Sequence, residues 1–417
     1  MFDVLIVLIF IAGYIAITLE QKTGINKAAP ALLIAVGCWA LNFMRAFPHD
    51  EVVTLHMNEH LADIAQVVVF LLGAMAIVEL IDSHKGFGII TSFMKTNNKR
   101  VFFWIVSLIT FFVSSVLDNL TTSIIMVTLL RQFVEDKKER MIFASMVIIA
   151  ANAGGAWTPI GDVTTTMLWI GGRITSGKIM SQLFIPSLIS AIIPLLFLSP
   201  GIKGKLTNTD FSTKDNQPLY GAKRVFILGV GALIFVPILR GTTGLPPYLG
   251  VMLGLGLMWA LTDLIHQERH FLRVPHVLTK IDVSSILFFL GILLAIAALD
   301  HAGILGRLAV WMDERLGSKD IIVPVMGLVS AFIDNVPLTA AAMGMYDLGH
   351  FPVDHQLWEL MAYCVGTGGS ILIIGSAAGV VVMGMEKIGF VWYLRRVSWV
   401  ALLGYLGGLS SFLFFNH

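Results

Sequence analysis

Two short stretches of this 417-residue chain put charge where apolar side chains dominate. SSVLDNLTTS runs from Ser114 to Ser123, and SAFIDNVPLT from Ser330 to Thr339. Each sets an Asp-Asn pair, Asp118-Asn119 and Asp334-Asn335, in the middle of an apolar run. A carboxylate near the centre of a bilayer costs several kcal/mol unless it is paired, hydrated or neutral. Neither Asp has a Lys or Arg close by in sequence. A bound proton or a bound metal cation would neutralise it, and one excludes the other. Competition of H⁺ and a cation for one carboxylate is the least physics that an exchange reaction needs.

The neighbours suit a hard cation, which prefers oxygen ligands. Asn119 and Asn335 offer amide oxygens, and Ser114, Thr122, Ser330 and Thr339 offer hydroxyls. A Na⁺ site would thus draw first on Asp118, Asn119, Asp334 and Asn335. Two Gly-rich breaks supply more polar groups. NAGGAWTPIGDVTTT offers Asn152, Thr158, Asp162, Thr164 and Thr165, while Gly154, Gly155 and Pro159 interrupt any helix there. GTGGSILIIGSAAG offers Thr367, Ser370 and Ser376. Each hydroxyl could instead bond back to its own helix or join two helices. Asp162 is also a favoured residue type for capping a following half-helix.

The elements holding these residues are membrane helices. The chain is 56% hydrophobic and 13% charged, against about 25% charged for soluble domains. Uninterrupted apolar spans are expected at 3–19, 28–46, 61–80, 181–200, 225–240, 248–265, 281–299 and 391–412. Residues 101–134 and 320–349 read as re-entrant hairpins with the Asp-Asn pairs at their tips. Residues 142–172 and 357–389 read as broken transmembrane helices. Segments 86–96 and 303–316 are amphipathic and read as interfacial arms.

Lys and Arg concentrate in 82–100, 131–140, 201–224 and 266–280, which puts those loops in the cytoplasm and both termini outside. The first hairpin then enters from inside and the second from outside.

An internal repeat follows. Phe70–Gly73 matches Phe288–Gly291 at an offset of 218, the hairpin tips match at 216, and Gly154–Asp162 matches Gly368–Ser376 at 214. The fold class is therefore an all-α polytopic membrane protein of two inverted repeats, each with one hairpin and one broken helix. The expected units are N-terminal scaffold helices (1–60), a first repeat (61–200), a cytoplasmic linker (201–224), connecting helices (225–280) and a second repeat (281–417). The copies differ chemically, because Asp162 stands where the second copy has Ser376.

Other groups carry less. The net charge of +1 says nothing about partners, and a nucleic-acid reading has no basic stripe to rest on. Cys38 and Cys364 lie in apolar segments and read as buried thiols. Glu79, matched by Ala297, is either interfacial or cavity-lining. His49, His56 and His60 are either pH-sensing groups or ordinary surface histidines.

LLGAMAIVELIDSHKGF, SSVLDNLTTSIIMVTLLR, NAGGAWTPIGDVTTTMLW and SAFIDNVPLTAAAMGMY resemble the NhaD-type sodium/proton antiporters of the ion transporter superfamily. The resemblance covers nearly the whole chain. It implies an inner-membrane antiporter exporting Na⁺, and often Li⁺, in exchange for H⁺, with no cofactor. It also implies a homodimer in membrane lipid, without a soluble partner, working by an elevator-like movement. It implies important polar positions at Ser114, Asp118, Asn119, Asp162, Thr164, Thr165, Ser330, Asp334, Asn335 and Ser370. The chain is short for the family and lacks a long N-terminal extension, from which a bacterial source is expected.

Two other classes remain. An anion carrier of the same superfamily, for arsenite or di- and tricarboxylates, would face repulsion from carboxylates at both tips. An intramembrane hydrolase would need a base or metal triad, and no HExxH motif occurs.

Overall fold

A computed structural model describes residues 1–47, 51–91, 94, 96–206, 219–266 and 270–416. Among them the chain is helical, with no named strand. Among the described residues seven helices are long and apolar enough to cross a membrane, or eight counting one bent pair.

Helix α1 (Phe2–Thr18) turns through a short Glu20–Thr23 helix into α2 (Ala28–Ala46). Then α3 (Glu51–Ser83) runs unbroken for 33 residues, about 50 Å at 1.5 Å per residue. The expected span at 61–80 is therefore too short at its start, and the expected unit boundary at 60–61 falls inside one helix. The stretch EVVTLHMNEH is polar, which hides it from hydropathy, but it holds no Pro or Gly to stop a helix.

The first tip region is α4 (Lys99–Ser114), a turn, and α5 (Asn119–Phe133). Asp118 caps α5, accepting from the Thr121 amide at 2.8 Å and its hydroxyl at 2.6 Å. The start of this pair comes back to the segment that follows it, since Lys99 at the start of α4 meets Glu139, six residues beyond α5 and in the first turn of the next helix, at 2.6 Å. Helix α6 (Lys137–Gly155) stops, residues 156–162 cross in irregular backbone, and α7 (Val163–Ile170) resumes. Next come α8 (Ser176–Leu198), α9 (Ala222–Thr243) and α10 (Pro247–Ile265).

The second set begins with α11 (Val283–His301), packed along α2 and α3, and α12 (Ile304–Leu316). Then α13 (Lys319–Val329) and α14 (Asn335–Met345) form the second tip region, capped by Asp334. Its far ends also meet, because Lys319 and Tyr346 both contact Asp313. Helix α15 (Gln356–Gly368) breaks over 369–376 before α16 (Ala377–Glu386).

The expected span at 391–412 needs correction. Residues Phe390–Arg396 form a separate helix, α17, bent by 111° from α16, and the last long helix, α18, starts at Ser398. The backbone turns at Lys387, in the left-handed region at φ 52, and again at Val397, so a continuous apolar sequence covers two directions. Of the expected arms, α12 buries Leu305 and Ala309 and exposes Leu308, Val310 and Trp311. For 86–96 a helix is described over Gly88–Thr91, and residues 92, 93 and 95 lie outside the described residues.

The two sets repeat their contacts. The Ser114 hydroxyl donates to the Ala151 carbonyl at 2.7 Å, and that of Ser330 to Val365 at 2.8 Å. A Cβ at Gly154 would overlap the Phe111 carbonyl oxygen, and one at Gly368 would overlap that of Gly327. In both places the broken helix lies backbone to backbone against the hairpin, an approach only glycine permits.

Candidate functional site

Asp162 is the centre of the polar network. It is 1% exposed and sits where the chain re-enters helix after the first break. One of its oxygens accepts from the Thr164 amide at 2.8 Å, so the capping reading holds. The same carboxylate takes an amide from each hairpin tip. Asn119 Nδ2 donates at 2.7 Å, and Asn335 Nδ2 reaches both oxygens, at 3.1 and 3.3 Å. A side-chain amide facing a carboxylate must present its NH₂, since an ionised carboxylate only accepts.

Asn119 also donates to Asn152 Oδ1 at 2.9 Å. Asn152 in turn donates to Ser370 at 2.9 Å and Ser376 at 3.0 Å, both from the second break. Residues from both hairpins and both breaks thus form one hydrogen-bonded cluster.

Asp118 and Asp334 stand at its rim, each half-buried and each turned back to cap its own helix. All three carboxylates line one small cavity of about 70 Å³, walled by Phe70, Leu71 and Val78 of α3 and Phe289 of α11. A second cavity, of about 420 Å³, lies further along the same helix pair, beside His60, Asp63, Arg173 and Asp300. The two are stacked along α3 and α11, with Phe70 lining one and Val67 the other.

The remaining candidates divide by partner. Thr158 donates to the Ser115 carbonyl at 2.6 Å and, like Ser114 and Ser330, ties a break to a hairpin. Thr165, Thr339 and Thr367 bond back to Asp162, Asn335 and Tyr363 carbonyls. Those three follow the back-bonding alternative. Thr122 and Thr164 are fully buried, and the Thr122 hydroxyl has no hydrogen-bond partner among the described residues.

Glu79 does not line the central cavity and accepts from Ser83. His49 lies outside the described residues, while His56 meets His301 at 3.2 Å and His60 lines the larger cavity.

Sequence reasoning missed Lys27. Its ammonium, at the start of α2, lies 3.6 Å from Asp334 and 4.3 Å over the Phe288 ring. One signal was present: Pro337 occupies the second-copy position of Thr121, so Asp334 loses a hydroxyl and an amide donor.

The citrate-transporter family (CitMHS) matches residues 6–368. Sodium/proton antiporter 1 of Arabidopsis thaliana is 47% identical, covering 99% of this chain and 72% of the relative. Sodium/proton antiporter 2 of the same plant is 46% identical, over 97% of this chain and 98% of the relative. The chain belongs to the NhaD-type sodium/proton antiporters. The Na(+)/H(+) antiporter NhaD of Alkalimonas amylolytica is 27% identical over 98% of this chain and 89% of that one. Identity to these plant members of the NhaD type exceeds that to the bacterial one, so the expected bacterial source draws no support from them. The relatives are transporters, in keeping with a chain that is not an enzyme.

Proposed function

We propose that this chain exchanges Na⁺, and Li⁺ in its place, for H⁺ across a membrane, by competition at Asp118, Asp162 and Asp334. One observation carries the reading: a buried carboxylate, Asp162, meets an Asn from each hairpin tip inside a small cavity that the other two carboxylates also line. Three carboxylates in one cavity repel each other, and uptake of either a proton or a cation relieves that repulsion. When the cation enters, Asn119 and Asn335 turn their oxygens to it. When a proton enters, the amides return to the carboxylate and the cation leaves.

The recurring hairpin-to-break contacts support an inverted repeat, and the paired far ends of each hairpin support re-entrance from one side. Two stacked cavities suit alternating access through an elevator-like shift of the hairpins and breaks against α1, α2, α9 and α10. External termini belong to the same proposal and rest on the Lys and Arg of the 82–100, 131–140, 201–224 and 266–280 loops. A homodimer in lipid completes the reading.

The citrate-transporter description favours a second reading, carriage of a polycarboxylate. Among the described residues Lys27 supplies the only ion pair to any of the three carboxylates, and three acids around the cavity would repel such a substrate.

Purified protein in proteoliposomes tests both. A Na⁺ gradient should drive counter-movement of protons, read by a trapped pH dye. Asp118→Asn, Asp162→Asn and Asp334→Asn should each cut it about tenfold or more at equal incorporation, a loss of at least about 1.4 kcal/mol of barrier lowering. Full activity in the first and third variants, or citrate-driven flux in place of Na⁺-driven flux, would defeat the reading. The apparent Na⁺ constant should fall as pH rises, by up to about tenfold per unit for each proton displaced.

A further inference from the structure

The two hairpin tips share a backbone plan but not a set of donors. Asp118 is held by the Thr121 amide and hydroxyl, at 2.8 and 2.6 Å. At the equivalent place in the second tip stands Pro337, which has neither donor. Asp334 keeps one long bond, from the Val336 amide at 3.3 Å. Its other partner comes from 307 residues away in the sequence: Lys27, whose Nζ lies 3.6 Å from Asp334 Oδ2.

That separation is beyond a direct hydrogen bond. Both side chains keep some water, at 23% and 19% exposure. An ion pair of this kind holds charge in place without a rigid geometry and parts readily. From the same position the ammonium lies over the face of Phe288 at 4.3 Å, so the ring attracts it as well as the carboxylate. Lys27 itself is anchored, because its backbone amide is held by the Glu20 carboxylate at 3.1 Å.

We propose that Lys27 is a built-in competitor for the transported cation: its ammonium neutralises Asp334 in the absence of Na⁺ and gives way when Na⁺ arrives, with Phe288 still holding it after the carboxylate is lost. The inference rests on the exchange reading above and adds a residue to it. Lys27 acts through Asp334 and never touches the ion. It lowers the affinity of an otherwise over-charged site and so lets the ion leave. Among the described residues the first tip has no such counter-ion, so the two tips are unequal in strength.

The test is the apparent Na⁺ constant and the maximal rate of Na⁺-driven proton movement in proteoliposomes, at one pH and one gradient, for wild type, Lys27→Gln and Lys27→Arg. Lys27→Gln should lower the Na⁺ constant by about 1.5-fold to fivefold, the range of a partly exposed ion pair. Lys27→Arg keeps the charge and should hold the constant at or above that of wild type. Na⁺-dependent thermal stabilisation of the purified proteins in detergent gives the same ordering without transport.

A Na⁺ constant in Lys27→Gln that is unchanged or raised, with only the maximal rate altered, would make Lys27 a structural residue and overturn the inference alone. A wild-type protein with no Na⁺-dependent flux and no Na⁺-dependent stabilisation would overturn the exchange reading and this inference with it.

Discussion

Replacing Glu386 by Gln should destabilise the protein by about 2–4 kcal/mol. Glu386 ends α16, and its side chain is 1% exposed. One oxygen takes Arg131 Nε at 2.7 Å from the end of α5, and the other takes Arg140 Nε at 2.7 Å from α6. Arg131 also reaches the Met385 carbonyl. Charge-assisted bonds contribute about 1.5–3 kcal/mol each, so two give about 3–6. Gln keeps one acceptor, which returns about 1 kcal/mol. Arg131 is 46% exposed and regains water, so its share is discounted. Arg140, 18% exposed, keeps bonds to the Val134 and Glu135 carbonyls but loses its counter-charge.

The measure is thermal unfolding in detergent, with Arg131→Met and Arg140→Met alongside. Arg140→Met should cost more than Arg131→Met. Once Glu386 is Gln, removing Arg140 should cost little more. Equal additive losses in the double variants, or a Glu386→Gln melt within 1 °C of wild type, would show that this buried ion cluster does not join the two sets of helices.

Cysteines at Lys99 and Lys138 should react with an impermeant maleimide from the same face of the membrane, as the Lys99–Glu139 pair requires; labelling from opposite faces would make 101–134 a true span. Gly154→Ala should cost about 1–3 kcal/mol or more, since its Cβ would meet the Phe111 carbonyl; an unchanged melt would mean that hairpin and break are not in close contact. His84, just past α3, is held below the ordinary imidazole range by burial, with His266 and Lys280 adding to it and its bond to the Leu80 carbonyl opposing. The unfolded chain then binds that proton more readily, so the stability it confers is full above about pH 6.5 and is lost as pH falls toward the lowered folded value. A Tm that drops between pH 7 and 5 in wild type and drops less in His84→Gln checks this, and equal drops would refute it.

What was legible in the sequence is what membrane physics makes rare. An Asp inside an apolar run has few reasons to be there, so Asp118, Asp162 and Asp334 stood out, and all three line one cavity. Gly154 and Gly368 were legible as breaks, because glycine in a helix needs a reason, and here it is backbone contact. The illegible parts depend on distance in the chain or on direction. Pro337 shows that Asp334 lacks local donors but does not name Lys27, and nothing near Glu386 points to Arg131 and Arg140. The break at Val397 between α17 and α18 falls inside the expected span at 391–412, with no Gly or Pro to mark it.

Substitutions between the matched copies carry the remaining information. A symmetric backbone with symmetric side chains would build two equal sites. Here Asp162 faces Ser376 across the repeat, and Thr121 faces Pro337. The three carboxylates are therefore unequal: one is buried among amides, one is tied to its own helix, and one is left to an ammonium. Inequality of this kind suits transport of a single ion. A pair of equally strong sites at equivalent depths would hold two ions, and release of either would gain nothing from the other.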